Sequence, residues 1–427
     1  MPERRVVVTG LGTVNALGAS VPEFWNNSIA GLSGIRAIDE FDIPETMSRV
    51  AGVADCWQGG PTLRESLDDW AGEDRNVHLA RAAAKEAVLD AAIDPDELGE
   101  LWGDRAAVYI ATAISHITRM EARFKAWTDG GRRPYARSGT KRPRTNEFSF
   151  VSASASVAEW LGVPAQYGTI ATGCTGGVDA IGWAYRAIKY NGLDLIVTGS
   201  CEAPITPLVV GSFSQINATS RRNYDPAGSS RPFDESRDGF VLAEGAGVLV
   251  LEELQSALNR GVQIYGEIGG YGSVNSAYHM TSIPEDGNPI VRASRIAMDD
   301  AGIHPDAVDF INAHGSGTPL NDVAESNAFH ALFGDRAREI PVTSNKSQTG
   351  HSLAAANSIE VISSFMAMRN SILSPTINLN RQDPRCDLDV VANVSRSAEI
   401  NCVLKSSSGF SGIHSSIVLR SYESEGH

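Results

Sequence analysis

Three residues in glycine-flanked segments have side chains suited to covalent chemistry. Cys174 lies in Thr-Gly-Cys-Thr-Gly-Gly-Val-Asp, His314 in Asn-Ala-His-Gly-Ser-Gly-Thr, and His351 in Lys-Ser-Gln-Thr-Gly-His-Ser. An apolar pattern with helical spacing follows the cysteine over residues 180–190, so we expect the thiol at the N-terminus of a buried helix. The helix dipole and nearby imidazoles would enlarge its thiolate fraction. One thiol and two imidazoles indicate carbon–carbon chemistry on a thioester.

The lone cysteine also has a simpler interpretation, because free cysteine is among the most buried residue types and often only fills a core. The two histidine segments favour catalysis instead. None of the three residues has the short spacing that metal ligands usually have, and neither a dinucleotide fingerprint nor a phosphate loop is present. We therefore predict no metal, and we expect the fold to bring the three residues together.

The composition is that of a globular protein with a large core, since 42% of its 427 residues are hydrophobic. The net charge of −15 argues against a nucleic-acid-binding protein, which needs a basic face. One basic segment interrupts this acidic chain, and its prolines and glycine predict a loop. It is either solvated surface or a docking site for an acidic protein. Its basic residues are Arg132, Arg133, Arg137, Lys141, Arg142 and Arg144.

The cysteines predict a reducing compartment. They are odd in number and lack CxxC spacing, so neither a disulfide framework nor a zinc site is expected. The N-terminal residues run into a valine-rich strand, and no apolar run reaches the length of a membrane span. We therefore expect a cytoplasmic protein. The cysteines are Cys56, Cys174, Cys201, Cys386 and Cys402.

Two sequence echoes predict an internal duplication. Gly-Leu-Gly-Thr-Val-Asn-Ala at 10–16 resembles Gly-Tyr-Gly-Ser-Val-Asn-Ser at 270–276, each in a strand–turn unit. Thr-Gly-Cys at 172–174 resembles Thr-Gly-His at 349–351, and each opens a helical pattern. Buried strands at 195–199 and 247–252 alternate with helices at 79–92 and 291–301, which indicates an α/β layered fold. We expect an N-terminal half, 1–260, with the cysteine, a C-terminal half, 261–427, with both histidines, and an active site between them.

These segments resemble the β-ketoacyl-carrier-protein synthase family of the thiolase-like superfamily over nearly the whole chain. Further matches are Val-Thr-Gly-Leu-Gly at 8–12, the segment 231–247 that begins Arg-Pro-Phe-Asp-Glu-Ser-Arg-Asp-Gly, and Gly-Phe-Ser-Gly at 409–412. The resemblance implies a thiolase fold, a duplicated five-layered αβαβα architecture. Within the family, the cysteine segment and Gly-His-Ser-Leu at 350–353 resemble the ketosynthase α subunit of bacterial type II polyketide synthases, which make antibiotics.

The resemblance implies an acyltransferase that carries out decarboxylative Claisen condensation. Cys174 would take an acyl chain from the phosphopantetheine arm of an acyl carrier protein, and malonyl carrier protein would then lose carbon dioxide and attack it. His314 and His351 would stabilise the enolate. The backbone amides of Cys174 and Phe410 would form an oxyanion hole, and Phe410 would also gate the acyl chain. No intrinsic cofactor is implied.

Supporting roles are implied for other matched positions. Lys346 and Glu360 would order the histidines, although an ordinary surface ion pair is the alternative. Ser316 and Thr318 would bind the pantetheine arm. The charged residues that follow, Asp322 and Glu325, are expected to lie in a surface turn without a chemical role.

The resemblance also implies two protein partners. An acyl carrier protein would dock on the basic loop together with Arg75 and Arg222. A homologous chain length factor that lacks the catalytic cysteine would form a heterodimer with this chain, and a homodimer is the alternative. No nucleic acid or membrane is expected.

Three departures from the family pattern bear on the site. Ser411 replaces a glycine in the gate turn, and Asn357 stands where a glycine follows Ala-Ala. His116 occupies a segment that lines the acyl pocket in relatives, so it would alter chain length or polarity, or lie at a dimer seam.

Other functions share parts of this pattern. A stand-alone fatty-acid elongating synthase differs in its partner rather than its catalytic residues. The same α-subunit scaffold could serve a highly reducing, polyene-forming system. The intact cysteine and histidines argue against a non-catalytic subunit, and the 409–412 turn lacks the second cysteine of a thiolase.

Overall fold

The structure is a computed structural model that describes residues 4–55, 62–68, 73–134, 149–163 and 166–422. These residues form fifteen strands and thirteen α-helices. The strands are β1 (Val6–Asn15), β2 (Ile35–Ala37), β3 (Val50–Gly52), β4 (Ala106–Ala111), β5 (Tyr167–Gly168), β6 (Leu195–Glu202), β7 (Gly245–Glu253), β8 (Gly266–Asn275), β9 (Phe310–Asn312), β10 (Pro341–Thr343), β11 (Ile372–Leu373), β12 (Asp389–Val390), β13 (Arg396–Ser397), β14 (Cys402–Ser408) and β15 (Ile413–Arg420). The helices are α1 (Val21–Ile29), α2 (Leu63–Asp68), α3 (Arg75–Asp90), α4 (Leu98–Trp102), α5 (Ile117–Thr128), α6 (Ser152–Trp160), α7 (Gly176–Asn191), α8 (Pro207–Gln215), α9 (Leu254–Arg260), α10 (Asn288–Asp300), α11 (Asn321–Phe333), α12 (Lys346–Thr349) and α13 (Ala354–Asn370).

The main sheet repeats one strand order twice. Its eleven strands run β12-β10-β9-β14-β15-β8-β1-β7-β6-β4-β5 among the described residues. Outward from the centre, one half runs β1-β7-β6-β4-β5 and the other runs β8-β15-β14-β9-β10, with β12 added at its outer edge. When β12 is left out of the count, both halves have the order first, fifth, fourth, second and third of their strands in this sheet. The halves meet where Val7 pairs with Glu267 and Val8 with Gly266. This repeated order supports the predicted duplication, while the division at residue 260 stays a prediction.

The helices complete five layers. α7 and α13 pack against each other and against strands of the main sheet, and α7 contacts strands of both halves. α3 packs on β1, β7 and β6, and α10 packs on β8, β15 and β14. The large apolar cluster between the halves contains Val178 and Ile181 of α7 with Ile359 and Ile362 of α13. The predicted αβαβα class is therefore confirmed.

The echoed glycine segments are strands rather than the predicted turns. Residues 10–15 lie in β1 and residues 270–275 in β8. A Cβ on Gly10 would lie 2.0 Å from the carbonyl oxygen of Ala87 in α3, and one on Gly272 would lie 2.3 Å from that of Ala293 in α10. The glycines serve close approach of an outer helix to the sheet, the same device in both halves.

The two inner helices also approach closely through glycine. A Cβ on Gly177 would lie 2.7 Å from the backbone nitrogen of Ser358 and 2.8 Å from the carbonyl oxygen of Ala354. α7 and α13 therefore pack together near their N-termini. In the described part of the chain, no helix is long and apolar enough to cross a membrane.

Candidate active site

A cavity of about 350 Å³ brings the three predicted residues together. Cys174 reaches it from the turn before α7, His314 from the loop after β9, and His351 from the segment between α12 and α13. Both histidines are buried, and Cys174 is partly exposed. Other lining residues are Phe213, Phe240, Ser316, Thr318, Phe410 and His414.

The nucleophile turn is held by Asp179, a residue that our sequence analysis missed. Its carboxylate accepts hydrogen bonds from the hydroxyls of Thr172 and Thr175, the latter at 2.7 Å. It also accepts from Tyr271 of β8 at 2.7 Å and from Ser415 of β15 at 2.5 Å. An acidic residue in the first turn of a predicted helix is a recognisable signal, but its partners in the other half are not.

The expected low pKa of Cys174 is wrong for the resting site. Burial raises the pKa of this thiol to about 11, which outweighs the charge of Lys346 and the backbone N–H groups of Phe410 and Cys174 that lower it. α7 begins at Gly176, so the sulfur precedes the helix rather than lying in its first turn. The resting nucleophile is a thiol. The same two N–H groups lie beside the sulfur, and their role as an oxyanion hole stays a prediction.

The two imidazoles are neutral neighbours. Their ring centroids lie 5.3 Å apart at an interplanar angle of 83°. Burial holds the pKa of His314 and that of His351 well below the ordinary value, and the positive charge of Lys346 lowers both further. The Nδ1 atom of each ring is buried and has no hydrogen-bond partner among the described residues. Neutral rings of this kind present an N–H donor without a full charge.

The loop that carries His314 is fixed by buried carboxylates. Glu325 accepts from the backbone N–H groups of His314 and Gly315, each at 2.7 Å. Asp322 accepts from the backbone N–H of Gly317 at 3.2 Å. Both acids are fully buried in α11, so their predicted position in a surface turn is wrong. They position the loop by satisfying its backbone donors.

Lys346 and Glu360 form a buried pair that also includes a second lysine. Lys346 Nζ lies 2.5 Å from Glu360 Oε1 and donates to the carbonyl oxygen of His314 at 2.8 Å. Lys405 Nζ lies 2.8 Å from Glu360 Oε2. Burial lowers the pKa of Lys405 to about 8. The predicted contact between Lys346 and Glu360 is present and buried, and Lys405, in a strand pattern, gave no sequence signal.

The gate turn connects β14 and β15. Phe410 lines the cavity, and its ring lies 6.3 Å from that of Phe213. Ser411 has φ of 69°, a left-handed conformation that explains why a glycine suits this position. Its backbone N–H donates to the carbonyl oxygen of Met280 at 2.6 Å. Asn357 donates from Nδ2 to the carbonyl oxygen of Cys174, so this departure adds a contact to the nucleophile turn.

The predicted pantetheine-binding hydroxyls lie together. Ser316 Oγ and Thr318 Oγ1 are 3.0 Å apart and both residues line the cavity. His116 does not line this cavity. It is buried at the start of α5 beside Asp74, and neither ring nitrogen has a hydrogen-bond partner among the described residues. Its neighbours Ile114 and Ile117 share an apolar cluster with Cys174.

The prediction that Arg75 contacts the carrier protein is wrong. Arg75 is 1% exposed, and its guanidinium makes two bonds to Glu244, at 2.9 and 2.6 Å, and one to Asp55 at 2.9 Å. A guanidinium enclosed by two carboxylates cannot meet a carrier. Arg132 and Arg133 are exposed, and Arg222 is half-buried and bonds to Tyr224. The other predicted positions lie outside the described residues: Arg137, Lys141, Arg142 and Arg144.

The described side chains offer no cluster of three or more residues suited to hold a metal ion.

Two family models match the chain: the N-terminal domain of β-ketoacyl synthase over residues 3–257 and the C-terminal domain over residues 265–380. The tetracenomycin polyketide synthase ketoacyl synthase alpha subunit of Streptomyces glaucescens is 38% identical over 98% of this chain and 97% of its own length. The 3-oxoacyl-[acyl-carrier-protein] synthase 2 of Synechocystis is 36% identical over 99% of each chain.

Solved structures agree with these relatives. A type II polyketide synthase ketosynthase bound to the hexaketide, in complex with its acyl-carrier protein, superposes with a TM-score of 0.91 at 41% identity, covering 99% of this chain and 100% of that one. The ishigamide ketosynthase/chain length factor gives a TM-score of 0.85 at 30% identity, with 99% and 100% coverage. Fold and site define a thiolase-like condensing enzyme. The chain belongs to the β-ketoacyl synthase family, as its motifs predicted, and it is an acyltransferase.

Proposed function

We propose that this chain is the ketosynthase α subunit of a type II polyketide synthase, which joins a malonyl unit to a cysteine-bound acyl chain. The observation that carries the proposal is the convergence of Cys174, His314 and His351 on one cavity with two N–H groups at the sulfur. Its relatives include a ketosynthase α subunit of this kind. The highly reducing, polyene-forming variant stays a prediction.

The first half-reaction moves an acyl group to the cysteine. The Cys174 sulfur attacks the thioester carbonyl on the carrier's phosphopantetheine, a carbon–sulfur bond forms, and the bond to the pantetheine sulfur breaks. The proton lost by Cys174 ends on that pantetheine sulfur, so no external acid is needed. The amides of Cys174 and Phe410 stabilise the oxyanion. Because the resting thiol has a raised pKa, deprotonation must accompany attack or follow substrate binding.

The second half-reaction forms the carbon–carbon bond. The malonyl carboxylate leaves as carbon dioxide, its electron pair stays on the α-carbon as an enolate, and that carbon attacks the Cys174 thioester. The bond between the acyl carbon and the Cys174 sulfur breaks, and the sulfur leaves as a thiolate that takes a proton from solvent water. Neutral N–H donors on His314 and His351 stabilise the enolate oxygen. Removal of one donor of this kind typically lowers the rate about 10²–10³-fold.

The remaining predicted residues act around this chemistry. Lys346 and Glu360 position His314 through its carbonyl oxygen, supported by the 2.8 Å contact. Ser316 and Thr318 bind the pantetheine arm at the cavity wall, and Phe410 gates it. The cofactor is the carrier's phosphopantetheine rather than a group held by this chain. A reducing cytosol is the proposed compartment, supported by the free state of the four described cysteines.

Two partners complete the proposal. An acidic carrier protein docks on the basic segment that includes Arg132 and Arg133, since a chain of net charge −15 needs a local basic patch to attract it. A chain length factor pairs with the chain as a heterodimer. A relative of known structure is a ketosynthase with a chain length factor, which supports this arrangement.

The test of the catalytic proposal incubates the chain with acyl and malonyl carrier proteins, with and without a cysteine-less homologue, and records intact masses. We expect an acyl adduct that Cys174→Ala abolishes and the matched variant Cys402→Ala keeps. Product only with the homologue identifies the α subunit of a type II heterodimer. Product from the chain alone identifies the second candidate, a stand-alone fatty-acid synthase, which the Synechocystis relative favours. Absence of an adduct under both conditions contradicts the proposal.

The test of docking reverses charge. Arg132→Glu with Arg133→Glu should raise the KM for carrier protein and leave alkylation of Cys174 unchanged, with a stronger effect at low salt. The control reverses two exposed arginines on the outer face of α10, Arg292 and Arg295. An equal rise in KM from both pairs would mean a general charge effect and would contradict a docking site at 132–133.

A further inference from the structure

A third imidazole, outside the predicted set, lines the active-site cavity. His414 is the second residue of β15 and lies beside the gate turn of Phe410. It is 2% exposed, and a proton on its ring would lower the pKa of His314, which places the two imidazoles near each other. Nothing in the proposed chemistry above uses it.

The hydrogen bonds of His414 leave one ring nitrogen available. Nδ1 lies 3.0 Å from Ser408 Oγ, its partner across the β14–β15 ladder. Nε2 is buried without a hydrogen-bond partner among the described residues. A buried polar atom left unpaired costs about 1–3 kcal/mol, so an occupant of the cavity that pairs with it is favoured.

The bond to the serine is compatible with a ring proton on Nε2. Among the described residues, His414 Nδ1 is the hydrogen-bond partner of Ser408 Oγ, and either atom can be the donor. When the serine O–H donates, Nδ1 is the acceptor and the ring proton of the neutral imidazole is on Nε2. In that tautomer Nε2–H is a buried donor on a residue that lines the cavity.

The ligand chemistry follows from the donors already assigned. In the proposed function, His314 and His351 serve the malonyl thioester oxygen, and the amides of Cys174 and Phe410 serve the acyl thioester. The malonyl carboxylate has no assigned donor in a cavity that also presents apolar side chains, including Phe213, Phe240 and Ile283. A carboxylate enclosed without a partner is costly.

We propose that His414 Nε2–H binds the carboxylate of the malonyl unit and thereby selects malonyl over acetyl carrier protein. This inference rests on the proposed function, since it assigns the extender carboxylate to a residue. An uncharged donor suits the task, because a cation would stabilise the carboxylate and slow its loss as carbon dioxide. Burial lowers the pKa of His414 to about 4, which keeps the ring neutral at pH 7.

The test measures selectivity rather than turnover alone. Carrier proteins loaded with stable amide analogues of malonyl and acetyl groups are titrated against the active assembly identified above, and the ratio of their Kd values is compared between variants. We expect His414→Phe, which keeps a ring of similar size, to lower the malonyl preference at least tenfold, the size typical of one hydrogen bond to a charged group. His414→Gln retains an N–H donor and should keep much of the preference.

Two further variants secure the interpretation. Ser408→Ala removes the bond that holds the tautomer, so it should lower the preference with the His414 ring still present. His330→Phe, outside the cavity, is the matched control and should leave the ratio unchanged. A His414→Phe variant that keeps the wild-type ratio, or that weakens both carriers equally, overturns the inference. If the wild type shows no malonyl preference, the inference also fails.

Failure of the proposed function looks different. A wild-type assembly that releases carbon dioxide from malonyl carrier protein and forms a β-ketoacyl product, yet shows no effect of His414 on the ratio, overturns the role of His414 alone. A wild-type assembly that neither releases carbon dioxide nor forms product overturns the condensing function together with this inference.

Discussion

Replacing Glu360 by glutamine should expose the electrostatic role of the cluster formed by Glu360 with Lys346 and Lys405. The carboxylate lies 2.5 Å from one ammonium and 2.8 Å from the other, and all three side chains are at most 2% exposed. Removing one member of a buried ion pair leaves an uncompensated charge and costs about 3–5 kcal/mol. We therefore expect Glu360→Gln to lose roughly that much free energy of unfolding at pH 7.

The loss should depend on pH in a definite direction. Lys405 has a folded pKa of about 8, below its ordinary value, so stability rises with pH between that value and its unfolded pKa. Without the Glu360 carboxylate its folded pKa falls further, so the variant gains up to about 1.4 kcal/mol per pH unit already between pH 7 and 8. The wild type, whose Lys405 is half deprotonated at pH 8, gains only about 0.4 kcal/mol over the same interval. The deficit of the variant should therefore shrink by about 1 kcal/mol from pH 7 to pH 8 and level off above about pH 9.

Urea unfolding followed by tryptophan fluorescence at pH 7, 7.5, 8 and 8.5 measures this deficit. The double variant Glu360→Gln/Lys405→Met carries one cation fewer and should lose the pH dependence. A deficit of the same size at every pH, or a double variant with the same slope as the single one, would refute the assignment of a deprotonating Lys405. Because Lys346 donates to the carbonyl oxygen of His314, condensation should fall in parallel.

Three further outcomes follow from the site and its supports. Alkylation of resting Cys174 by iodoacetamide should accelerate about tenfold per pH unit from 7 to 9 without a plateau, because its pKa is about 11; a plateau near pH 7 would mean an activated thiolate. Arg75→Ala should destabilise the fold by about 3–5 kcal/mol, since Glu244 is left buried and unpaired, while the KM for carrier stays within twofold. Asp179→Asn should reduce acylation of Cys174 and lower the unfolding midpoint, whereas an unchanged acylation rate would show that the turn holds without its carboxylate.

The sequence was most informative where the determinants are local. The glycine-flanked segments around Cys174, His314 and His351 identified residues that the structure places in one cavity, and the echo of 172–174 with 349–351 marked the starts of α7 and α13. Helical periodicity over 180–190 placed α7 to within a few residues. These features depend on spacing along the chain, which a single sequence contains.

Features that depend on partners far apart in the chain were beyond reach. In the sequence, Arg75 cannot be distinguished from a surface arginine, because its burial depends on an ion pair with Glu244, which is distant along the chain. Lys405 lies in an otherwise ordinary strand pattern, and its burial is visible only once β14 lies beside the His314 loop. The prediction of a lowered pKa for Cys174 was wrong for a similar reason. The motif indicates where a helix starts, but it does not indicate how far the surrounding residues exclude water from the thiol.

The nucleophile turn keeps its shape without help from the sulfur. The hydroxyls of Thr172 and Thr175 bond to Asp179, and Asn357 bonds to the carbonyl oxygen of Cys174, so none of these contacts uses the thiol. A second gene copy that lost only this cysteine would therefore still fold and still present the same surfaces. A single substitution at the cysteine therefore separates the fold of such an enzyme from its reactivity. The product is a non-catalytic homologue that keeps the contact surfaces while the catalytic chain carries out the reaction.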